Sequence, residues 1–237
     1  MKLSVVLATF NEEKNLAACL DSVKGLADEI VVVDGGSDDK TVEIGKSFGA
    51  KVIITTNPPI FHINKQKAID EALGDWILQL DADERVTPEL SKEIKSEIRN
   101  PKSEINGYWI PRKNWFLGRF LMKGGQYPDY TLRLYRRGKG RLPCKTVHEQ
   151  AMVDGKVGYL KNSLIHMADT GFSRYLVRWN RYTDLIAQEI KEQFREKEKR
   201  QNNAIVVFCQ QFIMTKKITN LPSISIIMPT LNSERTL

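Results

Sequence analysis

Cysteines, histidines and long apolar runs are scarce in this chain of 237 residues. Its three cysteines, Cys19, Cys144 and Cys209, lie far apart, which excludes a disulfide framework and the close spacing of a cysteine metal site. No apolar stretch approaches the roughly 20 residues that span a bilayer, and the N-terminus lacks the cleavage site of a signal peptide. These absences favour a reducing, cytoplasmic location.

Positive charge is concentrated in the second part of the chain. Residues 1–100 carry 12 basic and 18 acidic side chains, a net charge of −6, whereas residues 101–200 carry 21 and 10, a net charge of +11. Such an asymmetry predicts either an anionic partner (phosphates, nucleic acid or an anionic membrane) or a solvated basic surface.

Short β-branched runs alternate with amphipathic segments over residues 1–100. The strands are predicted in LSVVLATF, EIVVVD, KVIITT and DWILQL, and the helices in residues 11–27, KTVEIGKSFGA, INKQKAIDEALG and the segment that Thr87-Pro88 opens. Asn11 is the predicted N-cap of the first helix, and Leu90, Ile94 and Ile98 share one face of the last. The alternation predicts an α/β fold with a mostly parallel, doubly wound sheet flanked by helices.

After residue 100 the pattern changes. Residues 105–142 are rich in Gly, Pro, aromatics and Arg, which predicts loops and antiparallel strands. A long helix is predicted from Ser173, followed by an apolar patch at residues 204–214. That patch could lie on an anionic inner membrane leaflet, pack on the rest of the chain or contact another chain.

The tail of the sequence repeats its beginning. Residues 223–237, SISIIMPTLNSERTL, match LSVVLATFNEEKNL when shifted by 221 positions. We therefore interpret residues 221–237 as the start of a second, incomplete copy of the first structural unit.

Acidic and polar residues follow the predicted strands, where open α/β sheets bind ligands. The first strand is followed by Asn11-Glu12, without the glycines of a dinucleotide fingerprint. Asp34-Gly35-Gly36-Ser37 follows the second, and its carboxylate could accept a hydrogen bond from a base or ribose, or cap the next helix. Asp81-Ala82-Asp83 follows the fourth. If this segment is extended, both carboxylates point the same way and could hold a divalent cation with phosphate oxygens; alternatively they cap the next helix.

These motifs, taken in order and together with Lys65 before Gly74-Asp75, resemble the family 2 glycosyltransferases of GT-A fold. Members of that family use nucleotide diphosphate sugars and invert the anomeric centre. The resemblance covers roughly residues 2–190. GDWILQLDADERVTPEL, YWIPRKNWFLGRF, YPDYTLRLYRRGKGRL and VHEQ are similar to the lipopolysaccharide-core β-1,4-glucosyltransferase subgroup. The implied organisation is a GT-A domain over residues 1–172, with a nucleotide-sugar half at 1–100 and an acceptor half at 101–172, then a helical extension over 173–220.

The resemblance also implies residue roles. The nucleotide sugar would contact Thr9, Asn11, Glu12, Asp34, Lys65, Asp81 and Ala82. A divalent cation, Mg²⁺ or Mn²⁺, would be held by Asp83 and Asp81, with His166 as a candidate third ligand. Glu149 is the candidate base, and His148 an alternative base, a ligand or a structural residue. The acceptor would contact Arg112, Trp115, Tyr127, Asp129 and Arg133.

The implied activity is transfer of one sugar, glucose from UDP-glucose, to a hydroxyl of a lipopolysaccharide core or lipid-linked saccharide. The Q/R-x-x-R-W signature of processive members is missing, which favours a single transfer. Alternatives are transfer to a polyprenyl phosphate or capsule precursor, a nucleotidyltransferase, and a non-catalytic sugar-nucleotide-binding module. Nucleic acid is not an expected partner, because no nucleic-acid-binding motif accompanies RLYRRGKGR.

Overall fold

The computed structural model describes residues 1–99, 104–145, 149–169 and, from 171 to 197, all except 174, 178, 181, 182, 189 and 193. The chain divides into two units after Tyr175. Described residues between 172 and 197 are helical, and no described helix is long and apolar enough to cross a membrane. His148, the apolar patch at 204–214 and the repeat at 221–237 lie outside the described residues.

The first half of the chain forms the predicted parallel sheet. Its elements are β1 (Leu3–Thr9), α1 (Leu16–Ser22), β2 (Glu29–Asp34), α2 (Thr41–Ser47), β3 (Lys51–Ile54), α3 (His62–Asp70), β4 (Trp76–Leu80), β5 (Glu84–Val86) and α4 (Pro88–Arg99). β1 pairs in parallel with β2 and β4, and β2 pairs in parallel with β3. This confirms the doubly wound arrangement; the short strand β5 was not predicted.

The second half extends the same sheet. It contains β6 (Ile105–Phe116), β7 (Arg119–Phe120), β8 (Asp129–Arg136), β9 (Gly140–Arg141), β10 (Met152–Val153), β11 (Lys156–Tyr159) and β12 (Leu164–Asp169). In the described part of the chain the sheet order is β3-β2-β1-β4-β8-β6-β12-β5, with β7 and β11 also paired to β6. β8 runs antiparallel to both β4 and β6, as the composition of this region predicts.

Helices bury apolar side chains on both faces of the sheet. Alternate residues of β1 point to opposite sides: Val5 and Leu7 belong to the core cluster with α1 and α4, and Val6 to the cluster with α3. Of the α4 residues predicted to share a face, Leu90 and Ile94 are fully buried and Ile98 is nearly so. Burial on both faces explains why the central strands are continuous apolar runs.

The first helix begins later than predicted. α1 starts at Leu16, and its N-cap position is Asn15, which makes no side-chain capping hydrogen bond. Asn11 has a positive φ of 54°. Its backbone N donates to Ser37 Oγ at 2.8 Å, and its Oδ1 accepts from the backbone N of Asp38 at 3.0 Å. Asparagine tolerates this left-handed conformation, so Asn11 ties the loop after β1 to the loop after β2 and does not cap a helix.

Candidate active site

The predicted site residues meet at the carboxyl edge of the parallel strands. Thr9 is the last residue of β1 and pairs in register with Asp34, the last residue of β2. Asp81 directly follows β4, which lies on the other side of β1. This edge is where open α/β sheets bind ligands.

Asp34 is fully buried and organises the turn that follows β2. Its Oδ2 accepts from Thr9 Oγ1 at 2.9 Å and Ser37 Oγ at 2.6 Å, while its Oδ1 accepts from the backbone N of Gly36 and of Ser37 at 3.0 and 2.7 Å. A carboxylate has about four acceptor positions. The contact between Asp34 and a base stays a prediction, and it would require one of these bonds to open.

The neighbouring loop is held to α2. The backbone N of Glu12 donates to Thr41 Oγ1 at 2.8 Å, and Glu12 Oε2 accepts from Asn15 Nδ2 at 2.7 Å. Thr9, Asn11 and Glu12 therefore lie together beside the turn at Asp34, and their contact with the nucleotide stays a prediction.

Asp81-Ala82-Asp83 forms a turn, so the predicted extended geometry is wrong. The turn is closed by the backbone N of Glu84, which donates to the carbonyl of Asp81 at 2.9 Å. A second bond joins the backbone N of Met167 to the carbonyl of Asp83 at 2.8 Å. Ala82 is packed in the core cluster, and its contact with the nucleotide sugar stays a prediction.

Two cations flank the Asp81 carboxylate. Lys65 Nζ contacts Oδ1, and Arg133 Nη2 donates to Oδ2 at 2.6 Å. Burial alone would raise the pKa of Asp81, but Arg133 and Lys65 outweigh it and hold that pKa well below the usual value. Lys65 thus lies where the sequence predicts a basic residue. Arg133 contacts Asp81, and its predicted role in acceptor binding stays a prediction.

Sequence reasoning missed Glu84, whose side chain is fully buried beside this pair. Glu84 Oε1 accepts from Arg133 Nη2 at 2.9 Å and Arg112 Nη1 at 3.4 Å, and its Oε2 accepts from the backbone N of Asp81 at 2.9 Å. The available signal was an acid directly after the D-x-D pattern in LQLDADE. Only the turn brings that acid back against Asp81.

A second set of contacts links the acceptor half to Asp83. Asp129 Oδ2 accepts from Arg112 Nη2 at 2.8 Å and Asn114 Nδ2 at 2.9 Å. Asn114 Oδ1 lies 2.7 Å from His166 Nδ1, and His166 Nε2 lies 3.5 Å from Asp83 Oδ2. Burial opposes ionisation of Asp83 and Asp129, yet His166 lowers the pKa of Asp83, and Asn114 and Arg112 lower that of Asp129.

The Asp83–His166 pair has the chemistry of a divalent-cation site. Two ligand atoms 3.5 Å apart can share an ion at bond lengths of about 2.1 Å. A His166 Nδ1–H bonded to Asn114 Oδ1 would leave the Nε2 lone pair for the ion. Within the described residues, no group of three His, Cys, Asp or Glu side chains has metal-site geometry.

Glu149 lies against helix α3. Its Oε1 accepts from the backbone N of Lys145 at 2.7 Å, and its Oε2 lies 3.9 Å from His62 Nδ1. His62 and Lys65 are three residues apart on α3, so they share a face of that helix. The structure thus connects Glu149 with the helix that carries Lys65, while its role as a base stays a prediction.

The predicted acceptor residues are half-buried near the same edge. Trp115 packs edge-to-face on Phe120 at 5.0 Å, and the hydroxyl of Tyr127 lies 2.9 Å from Ser163 Oγ. Lys113 Nζ lies 5.8 Å from the centre of the Tyr127 ring. These residues come from the ends of β6 and the segment before β8, beside the Arg112–Asp129 pair.

Comparison with known proteins identifies the class. The chain is 31% identical over 195 residues to the lipopolysaccharide core biosynthesis glycosyltransferase LpsC of Rhizobium meliloti, covering 80% of this chain and 72% of LpsC. It is 30% identical over 210 residues to the uncharacterized glycosyltransferase RC0292 of Rickettsia conorii, covering 81% of this chain and 71% of that protein. The chain is therefore a glycosyltransferase enzyme.

The family and fold follow from two further matches. Residues 4–157 match the model of glycosyl transferase family 2, and the chain belongs to this family. The crystal structure of S. aureus TarS 1-349 superposes with a TM-score of 0.54 at 20% identity, covering 71% of this chain and 61% of that one. The fold is the GT-A fold, as predicted.

Proposed function

We propose that this enzyme transfers one sugar from a UDP-sugar to a saccharide hydroxyl, with inversion at the anomeric carbon. Glucose is the proposed sugar and a lipopolysaccharide-core or lipid-linked saccharide the proposed acceptor. LpsC, named for lipopolysaccharide core biosynthesis, supports the acceptor class. The observation that carries the proposal is an acid–histidine pair, Asp83 and His166, close to two cations that share one carboxylate.

The donor diphosphate would bind at the two cations. Lys65 and Arg133 both pair with the single carboxylate of Asp81 in the structure, and phosphate oxygens offer them further anionic partners. Mg²⁺ or Mn²⁺ would be held by Asp83 and His166. Asp81 would be a further ligand when Lys65 and Arg133 bind the diphosphate in its place. The ion would supply charge stabilisation of the leaving UDP.

Glu149 is the proposed base. The acceptor oxygen would form a bond to C1 of the sugar while the bond from C1 to the diphosphate breaks, and Glu149 would take the hydroxyl proton. Arg112, Trp115, Tyr127 and Asp129 would bind the acceptor, since aromatic faces suit sugar rings and the charged pair suits hydroxyl or phosphate groups. The proposed location is the cytoplasm, and peripheral contact of residues 204–214 with the inner membrane is one alternative beside packing on the catalytic domain or on another chain.

The proposal is tested by following nucleoside diphosphate release with a panel of UDP- and GDP-sugars, Mg²⁺ or Mn²⁺ and candidate acceptors. We expect UDP-glucose with a lipopolysaccharide-core acceptor to give the fastest release. Faster transfer from another donor would overturn the sugar assignment. Faster transfer to polyprenyl phosphate would overturn the acceptor assignment.

The base is tested with Glu149→Gln, for which we expect transfer to fall by about 10²–10⁴-fold while UDP affinity is retained. The matched control is Glu104→Gln, which removes an exposed pair with Lys156 and should leave transfer unchanged. Full activity in Glu149→Gln would move the base to another residue.

A further inference from the structure

Glu84 occupies an unusual position for a carboxylate. It is the first residue of β5, pairs in register with His166 of β12, and its side chain is fully buried. A buried charge is costly unless it is paired and hydrogen-bonded. Its partners therefore indicate why an acid occupies this position.

Those partners belong to both sides of the proposed reaction. Through Oε2, Glu84 holds the backbone N of Asp81, and through Oε1 it contacts Arg133 at 2.9 Å and Arg112 at 3.4 Å. The same Arg133 nitrogen reaches Asp81 Oδ2, and Arg112 also binds Asp129. Glu84 thus contacts both the arginine that binds Asp81 and the arginine that binds Asp129.

Arg133 retains a donor that this network does not use. Its buried Nε has no hydrogen-bond partner within the described part of the chain. A guanidinium that is fixed through Nη2 by two carboxylates keeps N–H donors on its other nitrogens, which suits it to an additional anionic oxygen. The position of that donor depends on Glu84, because Glu84 and Asp81 together bind the Nη2 end of the same planar group.

We propose that Glu84 is a positioning residue for sugar transfer. Its single buried carboxylate orients side chains on both the donor side and the acceptor side of the site. On the donor side it fixes the Asp81 turn and the guanidinium of Arg133. On the acceptor side it restrains Arg112 against Asp129. The inference rests on the proposed transferase function and adds a residue that does not itself contact the reacting atoms.

Glu84→Gln tests this role because it preserves the shape of the side chain but removes the charge. The new amide NH₂ is a donor in place of one acceptor oxygen. It would therefore face another donor, either the backbone N–H of Asp81 or the N–H groups of the two arginines, and the hydrogen bond there would be lost. Both substrates should then bind to a less ordered site. Glu84→Asp keeps the charge on a shorter side chain and should restore part of the activity.

The experiment measures kcat and KM for UDP-glucose and for the acceptor, beside thermal unfolding, in the wild type and both variants. For Glu84→Gln we expect kcat/KM for the donor to fall about 10-fold or more, with a higher KM for both substrates. The matched control is Glu97→Gln, which replaces the half-buried carboxylate that accepts from the Tyr108 hydroxyl with a neutral amide and should leave both KM values unchanged.

A purely structural role predicts a different outcome. Loss of folded protein would lower the apparent kcat and leave both KM values at the wild-type level, which would overturn the inference. If Glu84→Gln does not fold, Glu84→Asp decides, and wild-type KM values in that variant would contradict the inference. A wild type that uses no donor contradicts the proposed function itself, whereas an active wild type beside an equally active Glu84→Gln contradicts the role of Glu84 alone.

Discussion

At the scale of single residues, the carboxylate of Asp81 determines the electrostatics of the site. It lies between Lys65 and Arg133, and each cation contacts a different oxygen. Both cations are buried, and Asp81 holds them at the carboxyl edge of the sheet. A diphosphate would therefore find its two cationic partners already in place, which reduces the cost of ordering them on binding.

The lowered pKa of Asp81 has a consequence for acid stability. Because the pKa is lower in the folded than in the unfolded protein, this group contributes stability above its unfolded pKa of about 3.9 and loses it as the pH falls below that value. We expect Asp81→Asn to cost about 1–3 kcal/mol at pH 7, because it leaves buried cations less well paired.

Urea unfolding between pH 7 and pH 3 checks this expectation, with Asp154→Asn as the control for an exposed pair with Arg141. The free-energy difference between wild type and Asp81→Asn should narrow toward the acid end. A difference that stays constant over the whole pH range would show that the charge of Asp81 does not stabilise the fold.

The sequence predicts Asp34, Asp81 and Asp83 as site residues because each comes at the end of an apolar run that predicts a strand, and the structure brings all three to one edge of the sheet. It did not identify the partner of Asp81 on β8. The β6–β8 ladder shifts register between Tyr108 and Trp109, opposite Arg133. Such bulges redirect a side chain, and nothing in RLYRRGKGR predicts where one falls.

At the scale of elements, the amphipathic helix α4 was the most predictable. Thr87 Oγ1 accepts from the backbone N of Leu90 at 3.2 Å, so Thr87 caps the helix where Pro88 begins it. Ile94 is fully buried in the core cluster. Here the local capping signal and the apolar periodicity agree with the tertiary packing, which is why the prediction succeeded.

We expect Ile94→Ala to destabilise the protein by about 2–5 kcal/mol, because it removes buried methylene groups and leaves a cavity beneath the sheet. The control is Ser96→Ala on the exposed face of the same helix, for which a change within about 0.5 kcal/mol is expected. Denaturant unfolding measures both, and equal midpoints for the two variants would contradict the assignment of this core face.

Local sequence patterns did not predict two features, the strand β5 and the start of α1, because both depend on tertiary contacts. β5 is three residues long and contains two charged residues, Glu84 and Arg85. It is a strand because it pairs antiparallel with β12, about eighty residues later in the chain. The predicted N-cap of α1 was Asn11, but the helix starts at Leu16, because Asn11 is hydrogen-bonded to the loop after β2.

At the scale of the whole molecule, β8 joins the two halves into one sheet. It lies between β4 of the first half and β6 of the second, antiparallel to both. Within this sheet, basic side chains of β6 and β8 therefore meet acidic side chains of the first half. Arg112 and Arg133 of the basic half are neutralised by Glu84 and Asp81 of the acidic half. Part of the basic excess is thus internal and does not require an anionic partner.

The central claim is that Asp83 and His166 hold a divalent cation for a UDP-sugar at this edge of the sheet. The most direct measurement is UDP release from UDP-glucose with and without Mg²⁺ or Mn²⁺, in wild type, Asp83→Ala and the exposed control Asp154→Ala. We expect release by the wild type and by Asp154→Ala to require the ion, and release by Asp83→Ala to be lost. Metal-dependent release that survives in Asp83→Ala would contradict the claim.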